Sequence, residues 1–180
     1  MKKTLFTVLL LIITGISRPL FAQQETTMAN GSEPATGYVF TLGMKLKLKL
    51  VTPQNDTASY QYTVINSEEL KDTLILGETN KYFSENPEKG TIEAIFGFGY
   101  YSKPEAGQES KERMQTILCI RNNSDVALNY KADIVPCGKQ EFENTSVVTL
   151  FPNAMSTELW PYCISHIALY EFKNFPKEIE

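Results

Sequence analysis

The chain has little of what catalysis and metal binding draw on. Histidine and tryptophan each occur once, at His166 and Trp160, and cysteine three times, at Cys119, Cys137 and Cys163. A single histidine rules out a histidine-rich zinc site and leaves a catalytic thiol only one choice of imidazole base. There is no HExxH, no CxxC, no acidic calcium loop and no Gly-x-Ser-x-Gly elbow. Apolar runs beyond Ala22 are only strand-length, whereas a membrane-crossing helix needs about 20 apolar residues. No metal, no cofactor and no catalytic residue set is expected from these residues.

Charge of one sign is also scarce where it would matter. The full chain carries 17 basic and 21 acidic residues, a formal −4. Lys2, Lys3 and Arg18 account for part of the positive charge. Without residues 1–22 the balance is 14 basic to 21 acidic, a formal −7. Such a surface excludes nucleic acid and anionic membrane as main partners, because both require clustered Lys and Arg.

What is there begins with an address. Lys2 and Lys3 precede an apolar run from Leu5 to Ile16, and Leu20-Phe21-Ala22 offers a small residue before Gln23-Gln24. That order predicts a secretory signal peptide over residues 1–22, cleaved after Ala22. It resembles the leaders of exported bacterial proteins. The mature protein is expected in the periplasm or outside the cell, with no membrane span. Residues 23–36 are polar and small and are expected to be a flexible leader.

From there the dominant period is two. Met44, Leu46, Leu48 and Leu50 alternate with Lys45, Lys47 and Lys49, the pattern of a strand buried on one face. Ser59–Ile65 alternates again and runs into a polar Asn66–Glu69 turn. Strands are further expected over Thr73–Leu76, Thr91–Tyr101, Met114–Arg121, Ala127–Val135, Ser146–Phe151 and Cys163–Phe172. Pro152–Pro161 reads as a connection, and Asn122-Asn123-Ser124-Asp125 as a turn. No stretch carries a sustained helical period.

Three cysteines in an exported chain suggest one bridge and one free thiol. Cys119 sits mid-strand between Leu118 and Ile120 and is expected to be buried. Cys137 ends one strand and Cys163 starts another, so Cys137–Cys163 is the pairing expected. A loop of that size stabilises by about 3 kcal/mol in the chain-entropy model.

Phe96-Gly97-Phe98-Gly99-Tyr100-Tyr101 is the candidate recognition strip. Phe96, Phe98 and Tyr100 share one face, and Gly97 and Gly99 leave the other without side chains. Glycine inside a strand marks a close approach by another group. That group is either a ligand lying flat or a bulky neighbour within the fold. Trp160, just before the last strand, is either an exposed anchor or a plug at one end of the core. Glu93 lies in the same strand as the aromatics, where strand alternation accounts for it.

The expected fold is an all-β, immunoglobulin-like Greek-key sandwich of about eight strands, with residues 37–180 as one domain. A closed barrel or jelly roll is the alternative. The Asn122-Asn123-Ser124 turn leading into Leu128, Tyr130 and Ala132 resembles an element of exported bacterial immunoglobulin-like domains. The expected function is a non-enzymatic binding or assembly module of the bacterial envelope, with a protein or carbohydrate partner. Two alternatives stay open: a secreted carboxylate-dependent glycoside hydrolase, and a barrel holding a small apolar ligand.

Overall fold

The computed structural model describes residues 33–51, 59–107 and 113–175. The expected signal peptide, and most of the expected leader, lie outside the described residues. Backbone pairing begins at Ala35, which bridges Tyr62.

Among the described residues, ten strands form two sheets packed face to face. One sheet holds β1 (Gly37–Thr41), β10 (Ile164–Asn174), β7 (Leu128–Pro136) and β8 (Glu143–Thr145), in the order β1-β10-β7-β8. The other runs β3-β2-β5-β6-β9, from β3 (Gln61–Glu69) through β2 (Met44–Val51), β5 (Thr91–Tyr100) and β6 (Gln115–Asn122) to β9 (Met155–Trp160). The short β4 (Leu74–Ile75) adds to β5 in parallel, and all the other pairs are antiparallel. Both sheets keep separate edges among the described residues, so the molecule is an open sandwich and not a closed barrel.

The period of two does what it predicts in β2. Leu46 and Leu48 enter the core with Tyr62 and Val64 of β3, and Lys45, Lys47 and Lys49 face outward. Between the sheets, Ile92, Ala94 and Phe96 of β5 and Leu118 and Ile120 of β6 meet Ile134, Ile167, Leu169 and Phe172. Tyr130 stacks on Phe172 at 5.3 Å between ring centres, and Tyr62 meets the same ring edge-on. In β10, register shifts on either side of Ile167–Leu169 alter the alternation. Ile164, Ile167, Leu169 and Phe172 can therefore all turn inward, with Glu171 left-handed at φ 52°.

Three expectations are corrected. Asn66–Glu69 does not turn; it continues β3, with Glu68 opposite Lys45 and a register shift near Lys47 absorbing the irregularity. Ser146–Phe151 is not a strand. Only Leu150 bridges, to Leu128, and the strand of this region is the preceding Glu143–Thr145. The expected connection over Pro152–Pro161 instead contains β9. As an edge strand, β9 buries its faces only partly, so its alternation is blurred by Ser156, Thr157 and Glu158.

Candidate interaction surface

The outer face of the six-stranded sheet is dressed in two ways. At its centre the β3–β5 connection folds back over it. Leu74 and Phe83 close on Ile95, Ile117 and Cys119, with Leu70, Leu76 and Tyr82 packed at the margin. A 3-10 helix, Leu76–Tyr82, forms the middle of that connection. Burial raises the Cys119 thiol above its usual range, and its sulfur lies 3.5 Å from Thr157 Oγ1.

That cover decides where the glycine strip lies. Gly97 and Gly99 point to the outer face, and the group approaching them is the chain's own. A Cβ at Gly97 would meet Leu70 Cδ2 at 2.5 Å. Leu74 of β4 pairs with Gly99. Phe96 is fully buried between the sheets. Phe98 and Tyr100 are half-buried at one end of the sandwich, and Tyr101 is 68% exposed. Trp160 is 6% exposed, and its indole N–H donates to Thr145 Oγ1 at 3.1 Å, tying the edge of one sheet to that of the other. Phe98 and Trp160 flank Thr116 on the inner face, since both pair with it. Thr116 Oγ1 donates to the Tyr162 carbonyl at 2.7 Å and accepts from Ile164 N–H at 3.1 Å, which fixes the turn into β10. The structure thus brings Phe98 and Trp160 to one end of the sandwich. It leaves Phe96, Gly97, Gly99 and Trp160 with almost no surface to offer.

The disulfide is Cys137–Cys163, with Cα atoms 5.3 Å apart, and Cys137 N–H donates to the Cys163 carbonyl at 2.9 Å. Cys119 is the free thiol and is buried.

Two ionisable groups inside the fold are spent on one another. Glu93, 5% exposed, forms an ion pair with Arg121 and accepts from Ser84 Oγ and from Asn123 Nδ2, the last at 3.1 Å. The Arg121 guanidinium also lies over the Phe83 ring at 5.0 Å and donates to the Ser84 carbonyl at 2.8 Å. Burial alone would push the Glu93 carboxyl up. The hydrogen bonds from Ser84, Arg121 and Asn123 outweigh it and hold the group below the usual carboxylate range. At the next turn Asn122, fully buried, donates to the carbonyls of Val126 and Leu150 and accepts from Ser124. Asn122-Asn123-Ser124 is a structural corner. His166 is half-buried, with Nδ1 3.0 Å from the Ser165 hydroxyl. Among the described residues, no three His, Cys, Asp or Glu side chains gather as a metal site.

Apolar exposure collects elsewhere. Phe142, Val148, Phe151, Met155, Leu159 and Tyr162 are all exposed, and all lie between the residue before β8 and the turn after β9. Met155 and Leu159 project from the outer face of β9, opposite Arg121 and Ile117. Sequence reasoning missed this surface, although one signal was present. From Asn144 to Tyr170 the only Asp, Glu, Lys or Arg is Glu158, in a chain whose charged fraction is 21%. Glu158 stands opposite the core residue Leu118, so its side chain is on the inner face. Burial raises its carboxyl, with a partial offset from Val148 N–H, which donates to it at 2.8 Å.

No family model matches the chain, and neither curated proteins nor solved structures give a match.

Proposed function

We propose that this protein is an exported, non-enzymatic β-sandwich module that binds or assembles with a polypeptide partner in the bacterial envelope, using the surface around β9. The observation carrying this reading is the run of exposed apolar side chains along the charge-poor stretch around β9, while Glu93 and Arg121 are engaged with each other. Patches of this kind mark interaction sites on otherwise charged surfaces. The amino-terminal leader supports export. The Cys137–Cys163 bridge supports an oxidising compartment, where such bonds persist.

The test places a photo-crosslinking side chain at Leu159 and, separately, at Lys131 on the opposite sheet, in protein processed and retained in its native envelope. Adducts are expected at Leu159, lost on Met155→Lys, and none at Lys131. Equal labelling at both positions, or turnover of an envelope polysaccharide abolished by Glu93→Gln, would overturn the reading.

A further inference from the structure

The free edge of β9 has a hydrogen-bonding register of its own. Asn122 N–H donates to the Ala154 carbonyl at 3.0 Å, so the Asn122–Ala154 pair is a hydrogen-bonded one. The ladder continues from it as Ile120–Ser156, Leu118–Glu158 and Thr116–Trp160. In an antiparallel ladder the hydrogen-bonded pairs alternate with pairs whose backbone groups point away. Ser156, Glu158 and Trp160 therefore direct their N–H and C=O toward β6. Met155, Thr157 and Leu159 direct theirs to the outside, where β9 has no neighbouring strand among the described residues.

Of the other edges, β3 and β8 are guarded. β3 carries Glu68 and Glu69 and the register shift near its middle, and Ala35 bridges it at Tyr62. β8 is only three residues long. Charges, bulges and short length are the usual ways of blunting an edge. β9 has no proline and no outward charge. Its single charge, Glu158, points inward.

From this register we infer that β9 pairs antiparallel with β9 of a second copy, about a twofold axis through Thr157, joining the two larger sheets edge to edge. This deepens the proposed function by naming the partner, and so rests on that reading. The self-pairing is specific. Centred on Thr157, Met155 meets the partner's Leu159, and Thr157 meets its own counterpart. Each of the three outward residues in each copy donates one hydrogen bond, six in all, and no outward group is left over. Met155 and Leu159 form apolar cross-strand pairs on the outer face. On the inner face Glu158 falls opposite the partner's Ser156. Centred on Glu158 instead, the two Glu158 carboxylates would face each other, and Met155 would meet Pro161, which has no N–H to give. Centred on Ser156, Leu159 would meet Asn153, whose left-handed φ of 54° ends the strand. The inward carboxylate thus selects one register. Charge favours the same meeting place: two copies of an acidic chain approach most easily along the stretch that carries one charge in 27 residues.

Sedimentation of the processed protein at micromolar to sub-millimolar concentration is expected to show a monomer–dimer equilibrium. Thr157→Pro should abolish the dimer with little change in thermal midpoint, because the N–H it removes points away from β6 and bonds no backbone group among the described residues, and proline is tolerated at such edge positions. Register is read by crosslinking in a Cys119→Ala background, which prevents capture of the new thiol by Cys119. Thr157→Cys should give a disulfide dimer, since directly paired Cα atoms lie about 5.5 Å apart. Met155→Cys should not, being four residues out of register with its counterpart. A monomeric wild type, a dimer that survives Thr157→Pro, or equal crosslinking at both positions would overturn the inference. If the wild type is monomeric yet the Leu159 adduct to another protein persists, the binding reading survives without self-pairing. If both fail, both fall.

Discussion

A Cβ added at Gly99 would stand 2.6 Å from the Cβ of Leu74, and closer still to the Leu74 carbonyl oxygen. The crowding atoms belong to the backbone and first carbon of β4, which cannot swing aside. Gly99→Ala should therefore destabilise by about 1–3 kcal/mol, as overpacking does. Gly97→Ala should cost less, because its nearest obstacle at 2.5 Å is the end of the Leu70 side chain, which can rotate. Urea unfolding of the two variants checks the order; equal losses would show that β4 is not held against the strip.

Glu93 and Arg121 provide a second test. Removing one partner of a buried ion pair leaves the other uncompensated and costs about 3–5 kcal/mol, whereas replacing both with apolar residues is often nearly neutral. Glu93→Gln should thus be worse than the double replacement Glu93→Met with Arg121→Leu. The pH dependence follows from the lowered carboxyl. A group whose folded value lies below its unfolded one adds stability above the unfolded value, near pH 4.3 for Glu. That stability is lost as pH falls through the folded value. The gap between wild type and Glu93→Gln should accordingly be widest near neutrality and close in acid.

Tyr130 and Glu158 should behave in the opposite sense. The Tyr130 hydroxyl is buried without a hydrogen-bond partner among the described residues. Tyr130→Phe removes a desolvated group and keeps the ring on Phe172, so stability should be unchanged or higher. Glu158 has its carboxyl raised by burial. For an acid raised on folding, the penalty is fully present above the folded value and vanishes below the unfolded one. Glu158→Gln should stabilise at neutral pH, its amide oxygen still accepting from Val148, and the gain should fade toward pH 4 in thermal melts.

Thiol chemistry separates the three cysteines. Cys119 is buried and its thiol is raised, so the native protein should be inert to a thiol reagent. One thiol should titrate after unfolding without reductant, and three after reduction. Cys137→Ala with Cys163→Ala removes a bridge spanning 26 residues and should cost about 3 kcal/mol in chemical denaturation.

Much of this was legible in the chain. The Met44–Leu50 alternation became β2 almost residue for residue, because a side chain every second position has only one face to bury. The Cys137–Cys163 pairing followed from their strand-end positions. The β9 edge was not legible. Met155–Trp160 mixes Ser, Thr, Glu, Leu and Trp without clean alternation, and propensity favoured the Val- and Thr-rich segment before it. The glycine strip was legible as a close approach, but its occupant, the leucines of the preceding connection, was not.

By itself the sequence determined an all-β chain, the alternating core face of β2, β5 and β7, and the strand-end places of Cys137 and Cys163. These are set by local period and composition, which act along the chain. Only the tertiary structure decided that Leu70 and Leu74 cover Gly97 and Gly99, that Arg121 neutralises Glu93, and that β9 stands at an open edge. Those outcomes depend on which strand lies beside which, and strand order is fixed by long-range packing that no local pattern encodes.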